Sequence, residues 1–183
     1  QERRIFHIIA NNLSNAQTTG YKRSSPFFHS LLNESMGHLE SIPIDGVKTD
    51  FLQGTHERTG NDLHMAIEGE GFFKVESPVG IRYTRAGNFK LNSDKVLVNA
   101  NGFPVLGKQG KITIQGQRVA VEKDGTISAD GAEIGPIGLV NFSDPSLLQK
   151  ERQTLFRSEM DLRELKVPES TIHQGYLESS NVN

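Results

Sequence analysis

Apolar residues at the start of the chain recur at three- and four-residue steps. Ile5, Ile8, Ile9, Asn12 and Leu13 fall on one stripe, which predicts an amphipathic helix over residues 1–16. The pattern is already running at Gln1, which predicts a longer helix upstream. Asn15, Thr18, Thr19 and Gly20 then supply turn and C-cap chemistry. A helix of this length is marginal alone in water, so its stripe needs a surface to pack on.

The pattern changes after residue 20. Phe27, Phe28, Leu31 and Leu32 form a short apolar cluster, and Pro43, Gly46, Gly54 and Gly60 interrupt the stretch beyond it. Residues 21–62 are expected to be loops and short extended pieces, with a strand near Val47–Phe51. From residue 63 the apolar positions alternate with polar ones: Phe72, Phe73 and Val75, then Ile81 and Tyr83, Phe89 and Leu91, Val96 and Val98, Ile112 and Ile114, Val119 and Val121. Asn101-Gly102, Asp124-Gly125 and Asp130-Gly131 separate the runs and favour tight hairpin turns. Short strands at this spacing predict an antiparallel β-rich domain over residues 63–145. Asp144 before Pro145 reads as a helix start, with a short helix over Ser146–Lys150. Residues 146–183 otherwise read as an extended return segment.

Composition narrows the chemistry. The 183-residue chain has a formal net charge of −2, so it lacks the basic balance that phosphate binding needs and no nucleic-acid partner is expected. It has no cysteine, which excludes disulfides, thiolate catalysis and zinc–sulfur sites. No apolar run is long enough to predict a membrane span, and no cleavable signal pattern is visible. The histidines His7, His29, His38, His56, His64 and His173 show no metal-ligand spacing. Glu68-Gly69-Glu70-Gly71 reads as a glycine-rich turn entering a strand, with Gly54, Gly60, Gly69 and Gly71 expected to meet turn geometry. No nucleophile elbow, phosphate loop or dinucleotide fingerprint is present. No catalytic residue, cofactor, metal or small-molecule substrate is expected.

Four ordered strings carry a resemblance. They are Ala10–Arg23 (ANNLSNAQTTGYKR), then Asp50–Gly54 with Thr59–Leu63 and Ala66–Val75, then Tyr83–Phe89 with Asn101–Val105, and finally Gln174–Asn183 (QGYLESSNVN). Together they closely resemble the flagellar basal-body rod and hook proteins. The family motif residues fall on Asn11, Asn12, Asn15, Thr18, Thr19 and Gly20. Within the family, the short segment 107–135 and the string Ile137–Pro145 are more like the proximal rod type, with the distal rod type as the alternative.

The resemblance implies a division of the chain. Residues 1–20 would end an axial coiled-coil helix, 21–62 a connector, 63–145 the β-rich domain, and 146–183 the return toward a second helix beyond Asn183. It implies a structural rod subunit that self-associates and assembles with other rod and hook proteins. Such a subunit would transmit torque, sit in the basal body and leave the cell through the flagellar export apparatus without a cleaved signal. Ile5, Ile8, Ile9, Asn12 and Leu13 are then the expected subunit interface, against the competing reading that the stripe packs on its own β domain. For Asn11, Asn12, Asn15 and Thr18, helix capping and contact between subunits both stand as readings. A reading from another class is a β-sandwich carbohydrate-active enzyme using Asp62, Glu68 or Glu70, which requires one carboxyl with a raised pKa. A third is a β-rich adhesin or ligand-binding module, poorly supplied with aromatics because the chain has no Trp.

Overall fold

The computed structural model describes residues 2–28, 44–158, 164–165 and 170–182. Helix α1 spans Glu2–Ser14, and nearly all remaining regular structure is antiparallel β. Leu31, Leu32, Pro43, His29 and His38 lie outside the described residues.

One six-stranded sheet organises the body, in the order Leu148–Lys150, Phe156–Ser158, Gly80–Thr84, Phe72–Ser77, Leu139–Phe142, Glu164–Leu165. Its strand Phe72–Ser77 is buried on both faces, and successive side chains point to opposite sides. Phe73 and Val75 therefore enter the main core, with Phe89, Leu97, Ile114, Ile127 and Ile172. Phe72 enters a second, aromatic core with Tyr83, Phe142, Leu148 and Phe156, closed by Phe51. The ring pairs Phe73–Phe89 at 5.0 Å, Tyr83–Phe142 at 4.7 Å and Phe51–Phe72 at 5.4 Å are edge-on, the arrangement that ring quadrupoles favour. Truncating a buried Phe in such a core costs about 3–5 kcal/mol.

A three-stranded meander, Val119–Val121, Thr126–Ala129 and Ala132–Pro136, lies beside it. Its second turn is the Asp130-Gly131 pair, with φ of 49° and 84°. These are the two positive φ values of a tight hairpin turn.

Two segments differ from expectation. Asp144 does cap, accepting from the Ser146 N–H, but only a 3-10 turn Pro145–Leu147 comes after it. Leu148–Lys150 is not helical; it pairs with Phe156–Ser158, because an open strand edge offers more backbone partners than a one-turn helix. The return segment is likewise sheet-paired. Thr171–Gln174 pairs with Met65–Glu68, and Tyr176–Glu178 pairs with His56–Arg58. The late part of the chain thus closes on the beginning of the body.

Candidate functional site

The feature with the densest polar geometry is the joint where α1, the connector and the C-terminal strand meet. α1 ends at Ser14, and the next turn is held by Asn15: its Nδ2–H donates to Asn11 O at 2.8 Å and its Oδ1 accepts from Thr18 Oγ1 at 3.2 Å. Asn12 does something different. Its Nδ2–H donates to Ser24 O at 2.7 Å, and its Oδ1 accepts from the Ser24 N–H at 2.9 Å and from the Tyr21 hydroxyl at 3.1 Å. One side-chain amide thus pairs with a whole backbone unit, as a neighbouring strand would, and fixes the helix to the strand Ser24–Phe28. In this structure Asn12 is therefore a clamp between helix and strand, a duty distinct from capping.

Gly20 sits where the chain turns inward. Its N–H donates to Glu178 O at 2.7 Å. A Cβ there would lie 2.4 Å from Ala86 N, and its φ is +66°, so no other residue fits without moving the body. Gly54 has a similar duty for a different reason. Its φ is not positive, yet a Cβ would lie 2.0 Å from Ser179 O, so it is a close-approach glycine rather than a turn glycine. Gly60, Gly69 and Gly71 have φ of 71°, 99° and 121°.

Beneath this turn lies a buried ion triad. Glu178 is fully buried. Its Oε1 accepts from Lys22 Nζ at 2.6 Å and from the Gly54 N–H at 3.0 Å, and its Oε2 accepts from Arg85 at 2.7 Å. Lys22 Nζ also donates to Leu52 O at 2.6 Å. Arg85 donates to Ile67 O, Gly69 O and Gly71 O at 2.8–2.9 Å. Each of the three charges is therefore paired and hydrogen-bonded, the condition under which buried charges are tolerated. Burial raises the Glu178 carboxyl pKa, but the charges of Arg85 and Lys22 outweigh it and leave the group below its usual range. Lys22 is lowered by burial, with Glu178 opposing.

Outer bonds brace the triad. Asn181 Nδ2–H donates to Asp50 O at 2.8 Å and Leu52 O at 3.0 Å, and its Oδ1 accepts from the Arg23 N–H at 2.6 Å. Lys150 Nζ donates to Lys22 O at 2.5 Å and lies 3.7 Å over the Tyr21 ring. Burial lowers its pKa to about 8.

The expected interface residues divide. Ile8 is buried, Ile5 half-buried, and Asn12 occupied as described, whereas Ile9 and Leu13 are exposed at 55 % and 74 % together with Phe6 at 70 %. Phe6 is not among the residues of the predicted stripe, although it lies three residues before Ile9 on the same face. Sequence reasoning also misses Lys22, Arg85 and Glu178 as a unit. They lie inside the family strings, but Lys22 and Glu178 are 156 residues apart, so no local spacing pairs them.

Two of the three acids of the carbohydrate reading, Glu68 and Glu70, are engaged elsewhere. Glu68 accepts from Thr171 and contacts His173 Nε2 at 2.6 Å, and the His173 contact is the main cause that holds its carboxyl below the usual range. That is opposite to the raised acid glycoside chemistry requires. Glu70 accepts from Asn141 Nδ2 at 2.7 Å. Among the described residues no group of three His, Asp or Glu is placed to hold a metal ion.

Replacing Glu178 by Gln strands Lys22 and Arg85, and is expected to cost about 3–5 kcal/mol in urea unfolding at pH 7. Because the folded carboxyl lies below its ordinary 4.5, the stability it contributes is present above pH 4.5 and is lost as pH falls through the folded value. The gap between wild type and Glu178→Gln should therefore narrow on acidification. Lys150 has the opposite sign. Its pKa falls from 10.5 to about 8 on folding, so the cost of burying the charge is full below pH 8 and is relieved as pH rises toward 10.5. Wild type should gain stability relative to Lys150→Met across that window, read by thermal unfolding at matched ionic strength.

Comparison with known proteins places the chain in a family. A family model described as flagella basal body rod protein matches residues 1–22, which end at Lys22. One described as flagellar hook protein FlgE/F/G D1 domain matches residues 66–129, which include Arg85. The chain is 39 % identical to the flagellar basal-body rod protein FlgF of Caulobacter vibrioides, over 98 % of this chain and 77 % of that protein. It is 30 % identical to FlgF of Rhizobium meliloti, over 100 % and 77 %, and 29 % identical to FlgG of Bacillus subtilis, over 96 % and 78 %. The chain belongs to the flagellar basal-body rod protein family.

Proposed function

We propose that this chain is a structural subunit of the flagellar rod, of the proximal FlgF type, that stacks axially and transmits torque by stiffness rather than by any catalytic step. The likeness to FlgF supports the subtype. The observation that carries the mechanism is the state of α1. One side of the helix, with Ile8 buried, is held through Asn12 to the strand Ser24–Phe28, while Phe6, Ile9 and Leu13 stand exposed on another. An apolar stripe held at a set angle is suited to knobs-into-holes contact with further helices.

Chain direction supports the same reading. The Asn181 N–H donates to Tyr21 O at 3.4 Å, so the C-terminal segment runs beside the base of α1. A helix continuing from it would start next to that base. The subunit's partners are other rod and hook subunits, reached in the basal body after passage through the flagellar export apparatus.

The test is Ile9→Asp with Leu13→Asp in the natural full-length protein. Both side chains are exposed, so the stability of the body should change by no more than about 0.5 kcal/mol. Polymerisation, tracked by light scattering and electron microscopy, should be lost. Filaments forming as in wild type would contradict the proposal.

A further inference from the structure

Three loops of the body share one hydrogen-bond scheme. In each five-residue loop the first residue's N–H donates to the fifth residue's C=O, and its C=O accepts from the fourth residue's N–H. Asn92 does so with Val96 and Lys95, Asn99 with Phe103 and Gly102, and Glu122 with Thr126 and Gly125. The fourth residue has positive φ in all three, at 61° for Lys95, 82° for Gly102 and 88° for Gly125. The third residue is Asp94 in the first loop and Asp124 in the third, but Asn101 in the second. Asn101-Gly102 is also the one Asn-Gly pair in the chain.

We propose that Asn101 is a self-modification site, converted to aspartate and isoaspartate by attack of the Gly102 backbone nitrogen. That nitrogen loses its proton and bonds to Cγ of Asn101. The bond from Cγ to the side-chain nitrogen breaks, and ammonia leaves with the proton. Water then opens the five-membered succinimide at either of its carbonyls. The only reagent consumed is water.

Four observations single out this asparagine. Its side chain makes no hydrogen bond among the described residues, whereas the amides of Asn12, Asn15, Asn141 and Asn181 are held. Asn101 and Gly102 are both exposed. The attacking residue has no side chain to crowd the approach, and nothing lies within 4 Å of where its Cβ would be. Asn101 also lines a cavity of about 410 Å³ with Arg152, Gln153 and Thr154. The side chain therefore has room to turn, and the carboxylate it becomes shares that cavity with a guanidinium. Asp94 and Asp124, at the equivalent positions, mark the loop as one that accepts an aspartate.

The reaction is gated. The Gly102 N–H donates to Asn99 O at 2.9 Å, and Asn99 Oδ1 accepts from the Asn101 N–H at 3.0 Å and the Phe103 N–H at 2.9 Å. The attacking nitrogen is free only when these bonds open, so Asn99 sets the rate. Each event adds one negative charge, and the isoaspartyl product also adds one carbon to the main chain inside the turn.

The test is peptide mapping of the full-length protein aged at mildly alkaline pH. Trypsin releases residues 96–108, which contain Asn101. A one-unit mass gain located at Asn101 by fragmentation, and split chromatographically into Asp and isoAsp forms, should appear ahead of gain at any other asparagine. Gly102→Lys copies the residue that the first loop carries there, and should slow the gain to the level of the other asparagines. Asn99→Ala should speed it about fivefold or more, as expected for releasing hydrogen bonds of ordinary net strength. Asn99→Asp keeps both acceptor contacts and should leave the gain slow. Circular dichroism verifies folding of each variant, and guanidinium-unfolded wild type gives the ungated rate. Gain at Asn101 in the unfolded chain but none in the folded one would overturn the proposal, as would earlier gain at another asparagine. Equal rates in folded Asn99→Ala and wild type would overturn the gate.

Discussion

A single buried carboxylate ties this molecule together. Glu178 comes from the last strand, Lys22 from just beyond the helix, Arg85 from the body, and the bonded Gly54 and Leu52 from the connector. Four stretches far apart in the chain thus converge on one point. A buried ion cluster is weak evidence for stability, since apolar replacements can do as well. Its value here is geometric: the bonds are directional and short, and each partner is satisfied only when all four segments are in register. The glycines fit the same logic, because Gly20 and Gly54 let backbones approach where a Cβ would collide.

This joint gives the helix its meaning. Left to its own propensity, a 13-residue helix would fray. Asn12 prevents that by pairing with the Ser24 backbone, so the direction of α1 is set by the strand Ser24–Phe28. Lys150, over Tyr21 and bonded to Lys22 O, links the same joint to the sheet edge. Force applied along the helix therefore reaches a doubly cored sheet through bonded groups, as the subunit of a rotating shaft requires.

Much of the fold is legible in the residues, and the reason is local physics. Alternation around Phe72, Phe73 and Val75 marks a strand, and Asp130-Gly131 marks a tight turn through the φ values it permits. The α1 stripe marks a helix through its period. Elements whose conformation is set by distant partners are not legible. Leu148–Lys150 has a good helix start before it and is a strand because Phe156–Ser158 is available to pair. Thr171–Gln174 and Tyr176–Glu178 have weak signals of their own and owe their form to Met65–Glu68 and His56–Arg58. The joint obeys the same rule. Asn12 and Gly20 are visible through the family strings, but their duties are not, and the Lys22–Glu178 pair spans 156 residues. Within the stripe, Ile8 and Ile9 cannot be told apart until the folded chain buries Ile8 and leaves Ile9 exposed.

The most direct measurement is the angle of the helix relative to the body. Spin labels at Phe6→Cys on α1 and Val79→Cys in the turn between strands Phe72–Ser77 and Gly80–Thr84, in the otherwise cysteine-free chain, report it as a distance distribution by pulsed electron resonance. One narrow distribution is expected for the otherwise wild-type chain, and a broad one when Glu178→Gln is added under conditions where the body remains folded. Equal widths in the two, whether both narrow or both broad, would contradict the claim that the buried triad holds the joint at the base of the helix in register.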